Sequence, residues 1–246
     1  MKQTFQISIL ILSLIFASPC LAGGNDFATQ VTQANLHYQN KQYEEAAKAY
    51  EALIAEGYKN GHLYYNLGNA YYRLGQMGAS ILNYTRAKSL IPRDKDLEAN
   101  LKSAYQETSD HLEGKESILL FWLDNFNQVE IVHALVVAGI LFWLTMIARL
   151  FFRAAAWDIA RNTTLCLLLF TTISAGAKYY WDTNNPTAVV LAKTIDVKSA
   201  PGADGITLFQ LHEGAVASIA EEKDDWYKIE LPDDKKGWVK KDALGI

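Results

Sequence analysis

The chain has 246 residues, half of them apolar, and a formal net charge of −4 from 23 Lys and Arg against 27 Asp and Glu. That charge is spread evenly, with no basic stripe on any helix-like or strand-like segment, which argues against nucleic acid as a partner. The two cysteines are Cys20, close to the start, and Cys166, inside an apolar run. A mature chain holding one of them makes no internal disulfide, and cysteine catalysis or cysteine metal binding is not expected. A mean hydropathy close to zero conceals strong segregation along the sequence.

Residues 1–22 begin with a short basic start at Lys2, continue through an apolar run over 7–17 and end on Cys20, Leu21 and Ala22. This order predicts a secretory signal peptide. Lipidation of Cys20 is the rival reading, weakened by Pro19 beside it.

Residues 27–60 and 61–94 repeat with a period of 34 residues. The second copy reads Tyr64-x-x-Leu67-Gly68-x-x-Tyr71, then Ser80 and Tyr84, then Pro92. In the first, more worn copy, Ala34 aligns with Gly68, Asn35 with Asn69, Tyr38 with Tyr72, Ala46 with Ser80, Tyr50 with Tyr84 and Leu53 with Ala87. Small residues at Ala34, Gly68, Ala46 and Ser80 let helices approach closely, and Tyr50, Tyr71 and Tyr84 fill the gaps. The pattern resembles the tetratricopeptide (TPR) repeat, two antiparallel helices per unit whose apolar faces need a stacked neighbour. Residues 96–107, with Leu97, Leu101 and Tyr105 on one face, predict a capping helix, so that the block covers 27–108. Two repeats and a cap fall below the usual three units. The block is therefore expected to lean on the cap, on the following helix or on a partner, and its unfilled end reads as a docking surface.

Residues 117–126 form a short interfacial stretch, too short to span a bilayer. Residues 129–148 contain an 18-residue run over 131–148 without formal charge save at His133, and predict a transmembrane helix. Residues 162–181 predict a second, with Tyr179, Tyr180 and Trp181 suited to the membrane–water interface. Between them, residues 149–161 carry Arg149, Arg153 and Arg161 against Asp158, which predicts a cytoplasmic linker by the positive-inside rule. Both soluble parts then face the periplasm. His133 is read as reaching the interface near the end of its span.

Residues 187–246 consist of short apolar runs separated by turn residues such as Pro201-Gly202, Glu213-Gly214 and Asp233-Asp234. They predict a five- or six-stranded antiparallel barrel. The runs over 197–201, 211–214, 226–229 and 237–239 resemble the bacterial SH3 family (SH3b), with Lys198 where many members carry Arg. The expected fold is thus multidomain α and β: N-terminal helical TPR hairpins, two transmembrane helices and a small C-terminal SH3-like β-barrel.

Signal peptide, TPR pair, two spans and SH3b tail in this order resemble the BatE-like branch of the Bat (Bacteroides aerotolerance) group of inner-membrane proteins. That resemblance implies a scaffold beside von Willebrand factor A proteins and a MoxR-type ATPase, linked to envelope stress, oxidative stress or aerotolerance.

Peptide-binding TPR units line their groove with the first helix of each pair, which here sets Asn35 and Tyr38 beside Tyr65, Asn69, Tyr72 and Arg73. An Asn amide can both donate to and accept from an extended backbone; the alternative is that Asn69 bridges helices and the tyrosines are packing. Val31, Tyr65 and Ala99 occupy the positions where a carboxylate clamp would need Lys or Arg, so a neutral aromatic groove is expected. In the tail, Trp226 and Trp238 offer a ligand shelf for peptide or glycan, against the reading that Trp238 and Val239 close the barrel core. His37, His62, His111, His133 and His212 lie apart, and no metal site or cofactor is expected. Neither a nucleophile elbow, a phosphate loop nor a paired-carboxylate constellation can be placed, so the chain is not expected to be an enzyme.

These readings combine into a membrane-anchored scaffold that recruits proteins or peptides through both modules. The rival is a cell-wall protein gripping peptidoglycan through the barrel, with the repeats as a spacer. A third reading, a component passing a state across the membrane through the linker, has little sequence behind it.

Overall fold

The computed structural model describes residues 24–110, 124–152, 154–202 and 204–246. The expected signal peptide with Cys20, His111, residues 117–123 of the expected interfacial stretch, and Arg153 lie outside them.

Two helical hairpins stack as the period requires: α1 (Gly24–Gln39) with α2 (Tyr43–Ala55), and α3 (Gly61–Arg73) with α4 (Met77–Leu90), followed by α5 (Lys95–Gln106). Local chemistry sets the boundaries. Asn60 caps α3 by accepting from the His62 N–H at 2.8 Å, and Asp94 caps α5 by accepting from the Leu97 N–H at 2.9 Å. Gly75 ends α3 in the left-handed region at φ 72°, and one period earlier Lys41 adopts the same conformation at φ 61° after α1. Both sites use the same bonds, Gly75 N–H to Tyr72 and Lys41 N–H to Tyr38. Backbone geometry has therefore outlasted the glycine that suits it.

Ala34, Ala46, Tyr50, Leu53, Leu63 and Leu67 form one buried cluster, and Ile81, Leu82, Tyr84, Leu97 and Leu101 the next. The small residues act as expected: Ser80 is fully buried and donates to the Gly68 carbonyl at 2.9 Å. A side chain at Gly68 would lie 2.5 Å from the Tyr84 ring. Tyr71 is only half-buried and its hydroxyl donates to Glu51.

Beyond the repeats, α6 (Gln128–Phe151) and α7 (Ala155–Asn184) form a hairpin. Among the described residues α6 alone is long and apolar enough to cross a membrane, and only 11% of its apolar window is buried. The second expected span, 162–181, lies within α7 but does not meet that criterion. Charged residues near both ends (Asp158, Arg161, Lys178, Asp182) and a run of Asn and Thr inside lower its apolarity. The expected 149–161 linker is also shorter than its sequence suggested, since α6 runs to Phe151 and α7 starts at Ala155. Arg149 and Arg161 both pair with Asp158, at 2.8 and 3.5 Å, and tighten the turn. Thr145 and Thr164 hydroxyls meet at 3.1 Å across the hairpin. His133 is exposed in the second turn of α6.

The tail has seven antiparallel strands rather than five or six: β1 (Thr187–Val190), β2 (Thr194–Lys198), β3 (Thr207–His212), β4 (Val216–Lys223), β5 (Trp226–Glu230), β6 (Lys236–Lys240) and β7 (Leu244–Gly245), in the order β3-β2-β6-β5-β4-β1-β7. Val190, Val197, Leu211, Ala217, Ile229 and Val239 build the core. The extra strand is the two-residue β7, which pairs with β1.

The barrel packs directly on the repeats. Val189 belongs to the buried cluster of α4 and α5, and Val216 packs against it. Gly78, Gly214 and Gly245 line this seam, where side chains would meet the Val190 carbonyl, Thr108 and Leu82 at 2.4–2.5 Å. The Gly78 N–H donates to Glu213 at 2.9 Å and the His212 N–H to Asp110 at 2.6 Å. Arg86 bonds the Ile246 carbonyl. Among the described residues, the outer side of α5 is polar, with Lys95, Asp96, Glu98, Lys102 and Gln106 exposed.

Gly68→Ala should lower stability by about 1–3 kcal/mol, because the Tyr84 ring is fully buried and cannot step aside. The check is the thermal midpoint of the purified full-length protein; an unchanged midpoint would contradict this packing.

Candidate functional site

Two adjoining depressions, of about 270 and 200 Å³, lie along the first helices of the repeats. Asn35, Tyr38 and Asn69 border one, with Gln39 and Asn66. Tyr38, Asn69, Tyr72 and Arg73 border the other, with Asn100 and Ser103. Five of the six residues expected in the groove therefore meet there. The sixth, Tyr65, adjoins it through its hydroxyl, which accepts from Asn100 Nδ2 at 2.9 Å.

The two asparagines have identical surroundings one period apart. Asn35 Oδ1 accepts from the Tyr50 hydroxyl at 2.7 Å and from Asn66 Nδ2 at 3.2 Å. Asn69 Oδ1 accepts from the Tyr84 hydroxyl at 2.7 Å and from Asn100 Nδ2 at 2.9 Å. These bonds are the helix bridge that the packing reading of Asn69 expects. Its side chain also meets the Tyr65 hydroxyl at the groove. Asn66 and Asn100 were not picked out as site residues, although they too stand 34 residues apart, and that spacing was the signal.

Electrostatics follow burial. Burial pushes the Tyr50 hydroxyl up to about 12 and raises that of Tyr84 further. Tyr65 is raised by burial too, and Tyr72 chiefly by its bond to Glu107. The Tyr38 hydroxyl raises the Arg73 guanidinium. The tyrosine hydroxyls of the groove therefore stay uncharged at neutral pH, and the charges beside them are the Arg73 guanidinium and the Glu107 carboxylate that Tyr72 bonds. Val31 and Tyr65 are half-buried and Ala99 is exposed at the clamp positions.

On the barrel, strand register pairs Trp226 with Lys240 and Lys228 with Trp238. Directly opposed residues share a sheet face, so both tryptophans lie on the face opposite Tyr227, Ile229 and Val239. Trp238 is buried, but on the sheet face opposite Val239. It is 8% exposed but lies outside the core cluster, with the Lys228 ammonium 5.9 Å from its ring centroid. Trp226 is more open, with Lys198 at 5.5 Å, and borders a cleft of about 510 Å³ together with Lys198, Asp196 and Asp242.

Among the described residues no group of three His, Cys, Asp or Glu side chains could hold a metal ion. His37 meets Gln42, and His212 meets Asp110. Cys166 is exposed on α7.

Stacked helical hairpins with an amide-lined groove, joined to a small barrel with an aromatic outer face, define a protein built from two interaction modules. Comparison with family models agrees: residues 31–95 match the tetratricopeptide repeat and residues 193–245 the bacterial SH3 domain. No curated protein matches the chain.

Asn69→Ala should cost about 1–3 kcal/mol, since it strips the buried Tyr84 hydroxyl of its acceptor. In a Tyr84→Phe background the same substitution should cost distinctly less. Additive losses in this double-mutant cycle, measured by denaturant unfolding, would refute the bridge.

Proposed function

We propose that this protein is an inner-membrane-anchored scaffold whose TPR and SH3b modules face the periplasm and hold protein partners, and that it acts by binding rather than by catalysis. One observation carries the reading. The start of α6 and the end of α7 lie at the same end of the hairpin, beside the soluble unit. Arg93, after α4, bonds Glu130 and the Asn125 carbonyl, and Asn127 Nδ2 donates to the Leu90 carbonyl at 2.9 Å. Asn185 and Thr187 then lead from α7 into the barrel. A hairpin that crosses a bilayer keeps both modules on one side.

Two spans are supported by the exposed apolar surface of both helices, from Val132 to Leu150 and from Ile159 to Ile173, which in water would be left unburied. The arginines at the turn support a cytoplasmic location for it. Domain order supports a place in a Bat-type assembly with von Willebrand factor A proteins and a MoxR-type ATPase, and the groove is the surface we assign to partner binding. An alkaline phosphatase fused after Ile246 through a flexible linker should be active. In a Cys166→Ser background, a cysteine at Ala154 should react with an impermeant maleimide only after the membrane is disrupted. An inactive fusion would overturn the topology.

The second reading, peptidoglycan binding, is favoured by the two tryptophans on one barrel face. Under the scaffold reading, detergent-solubilised full-length protein should not be retained on purified sacculi. Retention that Trp226→Ala abolishes would favour the cell wall as the ligand.

A further inference from the structure

A cleft of about 690 Å³, larger than those described above, opens where the repeats, both ends of the α6–α7 hairpin and the start of the barrel meet. Thr85, Lys88 and Glu98 stand on the repeat side; Asp124, Lys178 and Trp181 stand on the hairpin side. Charges of both signs line it, Lys88 and Lys178 together with Asp94, Glu98, Asp124 and Asp182.

Lys178 is nine-tenths buried, and among the described residues its ammonium has a single counter-charge, the more exposed Asp182, at 3.1 Å. A buried ammonium held by one solvent-facing carboxylate leaves donor capacity unused. In the same lining, Glu98 on the repeat side and Asp124 on the hairpin side are exposed, and neither forms an ion pair among the described residues. The carboxylates are not grouped for a metal ion. The buried Thr85 hydroxyl in the same wall has no hydrogen-bond partner. Trp181 borders the cleft, and Tyr179 and Tyr180 beside it are largely exposed, as aromatic residues at a membrane–water interface are.

We propose that this cleft binds the headgroup of a membrane phospholipid carrying both a phosphate and a primary ammonium group. The phosphate lies toward Lys178 and Lys88, and the ammonium toward Glu98 and Asp124. This inference rests on the reading that the hairpin spans a bilayer, since only then does the cleft stand at headgroup depth with its aromatic rim in the interface. A lining with both lysines and carboxylates fits a zwitterion better than an anion, which the carboxylates repel. A trimethylated amine fits poorly because it has no N–H to give them.

Native mass spectrometry of the full-length protein, equilibrated with equal amounts of phosphatidylethanolamine, phosphatidylcholine and phosphatidylglycerol, tests the assignment. Phosphatidylethanolamine should be retained about tenfold over the other two, as hydrogen bonds to charged groups allow. Glu98→Gln with Asp124→Asn should erase the preference over phosphatidylcholine; both sites are exposed, so folding should survive. Lys178→Gln should weaken retention of all three lipids. Equal retention by the unmodified protein, or a preference that survives the double substitution, overturns the proposal. Extraction in alkaline carbonate separates the two readings: protein that is released refutes the spanning hairpin, whereas protein that stays in the membrane without lipid preference refutes the headgroup site alone.

Discussion

Two helical hairpins cannot cover both of their own faces, and the rest of this structure depends on how the exposed one is closed. The seam between α4 and the barrel does this. Val189, while paired within its own sheet, joins the buried cluster of α4 and α5, and three glycines allow close approach where a methyl group would collide. Buried apolar contact of this kind is worth about 25 cal/mol per Å², and here it comes from the same chain rather than from a partner. The missing third repeat is thereby replaced by a barrel of a different fold.

Closing the block from the α4 side leaves the first helices of the repeats open. There the asparagine amides are engaged in holding helices together, so the groove is shaped by its own support. Each oxygen takes one bond from a buried tyrosine and one from the asparagine 31 residues ahead. A side chain fixed at two points loses little freedom when a third group binds it, which is the general advantage of preorganisation. Tyr38 and Arg73 lie at the open edge, where selectivity can vary without disturbing that frame.

Periodicity made the helical block legible, because a 34-residue repeat imposes the same packing on both copies, and five of the six groove residues fell at one site for that reason. Asn66 and Asn100 were equally periodic, but an Asn in a helix gives no sign in one sequence of whether it faces a groove or solvent. The barrel strands were legible from alternation and turns; β7, two residues long, is below the length at which alternation can be read. What the sequence could not carry was the seam. Val189, Gly214 and Gly245 look like ordinary strand and turn residues, and only tertiary contact tells that they also belong to another module. For Trp238, alternation along β6 already sends it to the face opposite Val239, but only tertiary contact tells that it is buried there all the same. The contrast between α6 and α7 is one of composition, since polar residues break the second helix's apolarity while its packing on the first is maintained.

The junction at Arg93 ties these parts into one mechanical unit. Its guanidinium reaches both the Glu130 carboxylate and the Asn125 carbonyl and lies over the Phe126 ring at 5.1 Å, while Glu130 completes a capping box with Asn127 at the start of α6. The residue that receives the repeat block is thus the one that begins the hairpin. Asn127 adds a bond back to the last carbonyl of α4, the helix whose other side carries the barrel. Exposed ion pairs contribute little singly, but this one is bidentate, stacked and shared with a helix cap, so displacing it disturbs three features at once. On the reading that the hairpin lies in a membrane, α4 sets the attitude of both modules to the bilayer, and a partner seated in the groove is held at a fixed angle to it rather than on a flexible tether.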